Sequence, residues 1–127
     1  VAHECGRVNV IPREIRKLPS IKYIAEREDK TLIYDTANAV GRLLKSFGIN
    51  MNLWPILDLG GEVEGKLLAD RCISTNPNTV SNYSQIMIKA LNDAGIIAVP
   101  KYFPGHASTK KTGKEQTLKA IEELLAK

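Results

Sequence analysis

The chain has 127 residues, a formal net charge of +4, and 43% hydrophobic and 25% charged residues, the composition of one globular domain that buries about two thirds of its unfolded surface. That balance excludes a disordered or fibrous chain, and the longest apolar run falls far short of the ~20 residues a membrane-spanning helix needs, so no membrane partner is expected. The positive excess gathers in Arg13 to Lys22 and in Lys110, Lys111 and Lys114; it lacks the dense basic stripe with interleaved aromatics of a nucleic-acid binder, and no nucleic-acid partner is expected either.

Residues 1 to 11 start apolar and turn polar around Gly6, the pattern of a strand end feeding a loop. No signal-peptide pattern is read there, although the start on Val1 rather than Met leaves open a trimmed segment and an extracellular or lipid-anchored parent. Cys5 and Cys72 have neither CxxC spacing nor a nearby His pair. The expectation is a cytoplasmic protein with reduced thiols, no metal site and no cofactor.

Residues 12 to 30 hold Pro12, Pro19 and many charges without a clean period, and read as a surface connection with one helical turn at Ile21 to Ala25. Ile33, Ala37, Val40, Leu44 and Phe47 then recur at helical spacing, which predicts a helix over 30–47 with one apolar face, closed by Gly48 in the left-handed conformation. Ile49 to Leu57 is predicted as a strand with alternation at its start, its regular ladder stopping near Pro55 because proline has no N–H to donate.

The segment 58–75 is long for a plain connection and rich in Gly and charge, so it is either functional or mobile. Asp58, Asp70 and Arg71 are its polar candidates; the alternative for Asp70-Arg71 is a surface ion pair of little energetic weight. Asn76-Pro77 is an N-cap with proline at the first helical position, and Val80, Tyr83, Met87, Leu91 and Ala94 continue at helical spacing up to Gly95.

Ile96 to Val99 is an apolar, β-branched run between Gly95 and Pro100 that suits a strand buried on both faces. Lys101, Tyr102 and His106 fall where it ends. In parallel α/β folds ligands bind at the carboxyl ends of strands, which makes these three candidate site residues; the alternative is a turn whose Lys and His face solvent. Leu118, Ile121 and Leu125 mark a last amphipathic helix from about Lys114 to Ala126. Helix, glycine and strand thus recur at Gly48-Ile49 and Gly95-Ile96, which implies an α/β fold of about three parallel βα units with right-handed crossovers.

Four blocks carry a family resemblance. His3-Glu4-Cys5-Gly6-Arg7-Val8 resembles Asp-x-Glu-Gly-Gly-Arg-Val, and Gly48 to Asp58 resembles Gly-Ile-Asn-x-Asn-x-x-Pro-x-x-Asp. Asp70-Arg71 with Pro77 resembles an Asp-Arg-Ser-Phe loop, and Lys101-Tyr102-Phe103-Pro104-Gly105-His106-Ala107 resembles Lys-His-Phe-Pro-Gly-His-Gly. In these blocks the chain is similar to part of the N-terminal domain of family 3 glycoside hydrolases, in particular the β-N-acetylhexosaminidase (NagZ-type) branch.

The resemblance implies a (β/α)8 TIM-barrel-like fold, here partial, and a carbohydrate partner of the N-acetylglucosamine type. Arg71 and Lys101 would donate hydrogen bonds to it, with Tyr102 standing where the family has His. His106, Asp70 and Asp58 would brace the loops. Ala2 stands where the family has a substrate-binding Asp, Cys5 where it has one of its two Gly, and Val10 where it has a sugar-binding Arg. The family's acid/base His segment falls on Thr112-Gly113-Lys114, and its nucleophilic Asp lies beyond this chain. No catalytic residue is therefore assigned, since double displacement needs both groups.

An eight-stranded barrel takes about 250 residues, so three units leave two sheet edges open. Self-association, or docking onto other polypeptide through those edges, is expected. Two readings result: a single-domain fragment (1–127) of a glycosidase, inactive alone, or a non-catalytic sugar-binding or assembly module.

Overall fold

The computed structural model describes residues 1–12, 15, 18–60, 68, 70–103 and 105. The chain runs α1 (Ile21–Ala25), α2 (Lys30–Ser46), β1 (Met51–Asn52), α3 (Pro77–Asp93) and β2 (Ile97–Ala98). The helix expected at 114–126 lies outside the described residues.

Both long helices begin and end through local chemistry. Asp29 caps α2, its Oδ1 accepting from the N–H groups of Thr31 and Leu32 at 2.8 and 3.0 Å. Asn76 caps α3 in the same way, and Pro77 takes the first helical position, where its missing N–H costs nothing. At the other ends Gly48 and Gly95 adopt φ 77° and 79°. In each, the glycine N–H donates to a carbonyl three residues back and the following isoleucine N–H to one five residues back: Gly48 to Lys45 and Ile49 to Leu44, Gly95 to Asn92 and Ile96 to Leu91. This double bond satisfies the last carbonyls of the helix and turns the chain into a strand. The repeat read from the sequence is therefore a repeat of one structural step.

The apolar stripe of α2 (Ile33, Ala37, Val40, Leu44) meets that of α3 (Val80, Met87, Ala90, Leu91), and both cover Trp54 and Ile96 in one core. Gly41 allows the closest approach; a Cβ there would lie 2.7 Å from Cβ of Ala94.

β1 and β2 pair in parallel with Met51 opposite Ile97 and Asn52 opposite Ala98. The pairing does not end at Pro55 but is interrupted by it. It resumes at Ile56 opposite Lys101, with Lys101 N–H donating to the Pro55 carbonyl and Leu57 N–H to the Lys101 carbonyl, each at 3.0 Å. From Asn52 to Ile56 is four steps and from Ala98 to Lys101 three, so one extra residue is accommodated as a bulge beside the cis Trp54–Pro55 bond.

The segment Val1–His3 flanks β1 on its other side with the bonds of a parallel neighbour. The Val1 nitrogen donates to the Met51 carbonyl at 3.0 Å, and Leu53 N–H to the Val1 carbonyl at 2.8 Å. The buried Asn52 side chain completes the junction: its Oδ1 accepts from His3 N–H at 2.8 Å and its Nδ2 donates to the His3 carbonyl at 2.9 Å. Three parallel segments thus lie side by side in chain order.

One expectation is corrected here. The strand at Ile96 to Val99 is not buried on both faces: Ile96 is buried, but Ile97 is 55% exposed. Met51, its partner in register, and Leu53, on the same face by strand alternation, are also exposed. The physical reason is that, among the described residues, helices cover only one side of this sheet.

Candidate functional site

The chemistry gathers where the three parallel segments end. The first segment ends in Glu4, whose N–H donates to the Val8 carbonyl at 2.9 Å across a turn that Gly6 makes at φ 82°. Arg71 is delivered by a turn in which its own N–H and that of Cys72 donate to the Leu68 carbonyl. Lys101 lies at the resumed pairing with Ile56, followed directly by Tyr102.

Arg71 and Lys101 converge on one carboxylate. Arg71 donates Nε–H to Glu4 Oε2 at 2.8 Å and Nη2–H to Oε1 at 2.9 Å, the bidentate geometry in which a planar guanidinium matches a carboxylate. Lys101 Nζ approaches Oε1 at 2.6 Å. Tyr102 holds φ 66°, unusual for a residue with a side chain. Its hydroxyl lies 3.4 Å from Arg71 Nη2, and its ring centre is 5.7 Å from the Arg71 guanidinium and 5.6 Å from the Lys101 ammonium, within cation–π range.

Glu4 is 2% exposed. Burial alone would raise its pKa, but the hydrogen bonds and charges of Arg71 and Lys101 outweigh that and hold it below the ordinary value. Its bond to Arg71 in turn pushes the guanidinium further from deprotonation. Burial pushes the thiol of Cys5 up to about 12 and that of Cys72 to about 11, so neither is a nucleophilic thiolate near neutral pH. Burial lowers the pKa of His3, against the raising charge of Glu4. The neutral ring accepts the Val10 N–H on Nδ1 at 3.3 Å.

The other candidates lie nearby in different settings. Asp70 pairs with Arg7 at 2.8 Å, both about half exposed, joining the loop before Arg71 to the turn after Glu4. Asp58 is buried beyond the resumed strand, its Oδ1 accepting Leu59 N–H at 2.9 Å. His106 lies outside the described residues. Among the described residues no group of His, Cys, Asp and Glu is placed to hold a metal ion. Two residues central to this architecture were given no role from sequence, Glu4 and Asn52. For Glu4 the available signal was an acid inside a recognisable block of a chain with two candidate cations.

The match to known proteins falls on the same residues. The model of the glycosyl hydrolase family 3 N-terminal domain matches residues 1–125. The chain belongs to glycosyl hydrolase family 3. The β-hexosaminidase LpqI of Mycobacterium tuberculosis is 31% identical over 107 residues, 84% of this chain and 28% of that protein. The β-hexosaminidase of Shewanella frigidimarina is 37% identical over 116 residues, 85% of this chain and 33% of the relative. Among solved structures, a family 3 β-N-acetylglucosaminidase from a Paenibacillus species superposes with a TM-score of 0.79 at 27% identity, over 87% of this chain and 21% of that one. The family 3 chain described here spans a third or less of the length of these relatives.

Proposed function

We propose that this chain is one portion of a family 3 β-N-acetylhexosaminidase acting on amino-sugar glycosides, forming a single domain that supplies part of a (β/α)8 barrel wall and of its sugar-binding face. The observation that carries the reading is the convergence of Arg71, Lys101 and Tyr102 at the carboxyl ends of adjacent parallel segments. Cationic N–H donors and a phenol at that position suit a ring of vicinal hydroxyls. The names of the relatives point to the same substrate class. The family's acid/base histidine segment falls on Thr112-Gly113-Lys114 and its nucleophilic Asp on none of these 127 residues, so this portion is read as a binding wall rather than a complete catalytic site.

The test uses the 127-residue chain with N-acetylglucosamine and an aryl N-acetylglucosaminide. Binding that perturbs the Tyr102 ring signals, without turnover of the aryl glycoside, is the expected result. Turnover by the pure chain would overturn the inactive reading, and the lack of any binding would overturn the sugar wall.

A second reading, a non-catalytic sugar-binding or assembly module, is favoured by Ala2, Cys5 and Val10 at positions where the family carries Asp, Gly and Arg. Both readings need something to cover Met51, Leu53 and Ile97, because parallel sheets are normally buried on both faces. Self-association through this face and the open edges is expected for the isolated chain. Light scattering should report a species larger than 14.0 kDa, shifted towards monomer by Ile97→Lys; a monomer indifferent to that change would exclude it.

A further inference from the structure

We infer that Glu4 is a positioning residue of this wall: its buried carboxylate sets where the Arg71 guanidinium and the Lys101 ammonium point, and through them the orientation of the sugar. The ligand in this inference rests on the reading proposed above; the positioning does not.

Three observations carry it. Both carboxylate oxygens are engaged, Oε2 by Arg71 Nε and Oε1 by Arg71 Nη2 and Lys101 Nζ, all within 2.9 Å. Two parallel bonds fix the plane of a guanidinium, which a single contact would leave free to swivel. Lys101 commits one of its three N–H donors to Oε1, which removes most of the rotamer freedom of a four-carbon side chain that is otherwise costly to order on binding. Finally, Glu4 is 2% exposed, so it acts through the two cations rather than on a ligand. Its backbone is fixed in turn, by the bond from Glu4 N–H to Val8 and by the Asn52 clamp on His3. The orientation of both donors thereby passes to the sheet itself.

A latch that merely holds three loops together would be satisfied by any geometry that folds, whereas a positioning carboxylate leaves a signature on its partners. The experiment compares the unmutated chain with Glu4→Gln, Glu4→Asp, Lys101→Met and the double variant Glu4→Gln/Lys101→Met. It reads the side-chain N–H signal of Arg71 Nε, its hydrogen exchange, and the Kd for N-acetylglucosamine of the folded fraction. In the unmutated chain the Arg71 Nε–H should exchange about tenfold or more slowly than that of an exposed arginine. In Glu4→Gln its signal should move and Kd should rise about tenfold or more. Glu4→Asp, one methylene shorter, should recover part of both. The loss in the double variant should be smaller than the product of the single losses, because the two residues act in one unit.

A folded Glu4→Gln chain with unchanged Kd overturns the inference, as does an Arg71 Nε signal that does not move. If Glu4→Gln does not fold, the unmutated exchange rate and the Glu4→Asp titration decide. Exchange as fast as an exposed arginine, or a Glu4→Asp chain with both signal and Kd unchanged, overturns it. If the unmutated chain binds no N-acetylglucosamine, the sugar reading fails, while the Nε signal still decides whether Glu4 orients the guanidinium.

Discussion

Arg71→Ala is expected to destabilise the fold, because it strips a buried carboxylate of its bidentate partner, and, on the function proposed above, to abolish N-acetylglucosamine binding. Removing one member of a buried ion pair costs about 3–5 kcal/mol. Lys101 still faces Glu4 Oε1 at 2.6 Å, which places this variant at the low end of that range.

The pH dependence gives the sharper signature. The folded-state pKa of Glu4 lies below its ordinary value of 4.5, so its contribution is fully present above that value and is lost as pH falls through the depressed one. Without Arg71 the raising effect of burial is opposed by less, the folded pKa rises, and acid unfolding should begin at higher pH. Urea unfolding at neutral pH with an acid titration followed by circular dichroism checks both. A variant with the acid midpoint of the unmutated chain would mean that Arg71 does not hold the Glu4 charge in place.

Asn52→Leu is the second large effect. The substitution keeps the branching of the side chain, with bulkier methyl groups at its end, but leaves the His3 N–H and carbonyl without the partners they now have at 2.8 and 2.9 Å. Each buried backbone group left unsatisfied costs about 1–3 kcal/mol, so a loss of about 2–6 kcal/mol in all is expected, despite a more hydrophobic residue at a buried site. Hydrogen exchange should locate the damage at the junction of the first segment with β1, in the amides of His3 and Leu53. An unchanged urea midpoint with both amides still protected would count against the clamp.

Local features were legible in the sequence. Asn76-Pro77 and the two glycines act over a few residues, so their chemistry is visible without knowing what lies elsewhere, and the helical stripes gave α2 and α3 to within a residue or so. Alternation in the first strand was harder to use. Asn52 reads as an outward polar residue between Met51 and Leu53, yet Asn52 is buried and its apolar neighbours are exposed. What buries it is the backbone of His3, 49 residues away.

Glu4 was hidden for the same reason, its guanidinium partner standing 67 residues along the chain. No periodicity records such a distance. The family blocks singled out Arg71 and Lys101 as donors but not the carboxylate on which they meet. Pro55 correctly signalled a break in the ladder, while its repair at Ile56 and Lys101 depends on a bulge that needs the partner strand to be seen.

The shared way in which the two long helices hand the chain to their strands bears on how such a protein can grow. Each handover is closed by two backbone bonds, from the glycine and from the isoleucine after it, to carbonyls of the helix it ends, so neither backbone turn depends on the residues further along the chain. Gly48 and Gly95 are therefore natural seams, at which a duplicated unit could be spliced in or a recombined one exchanged without inventing a new connection.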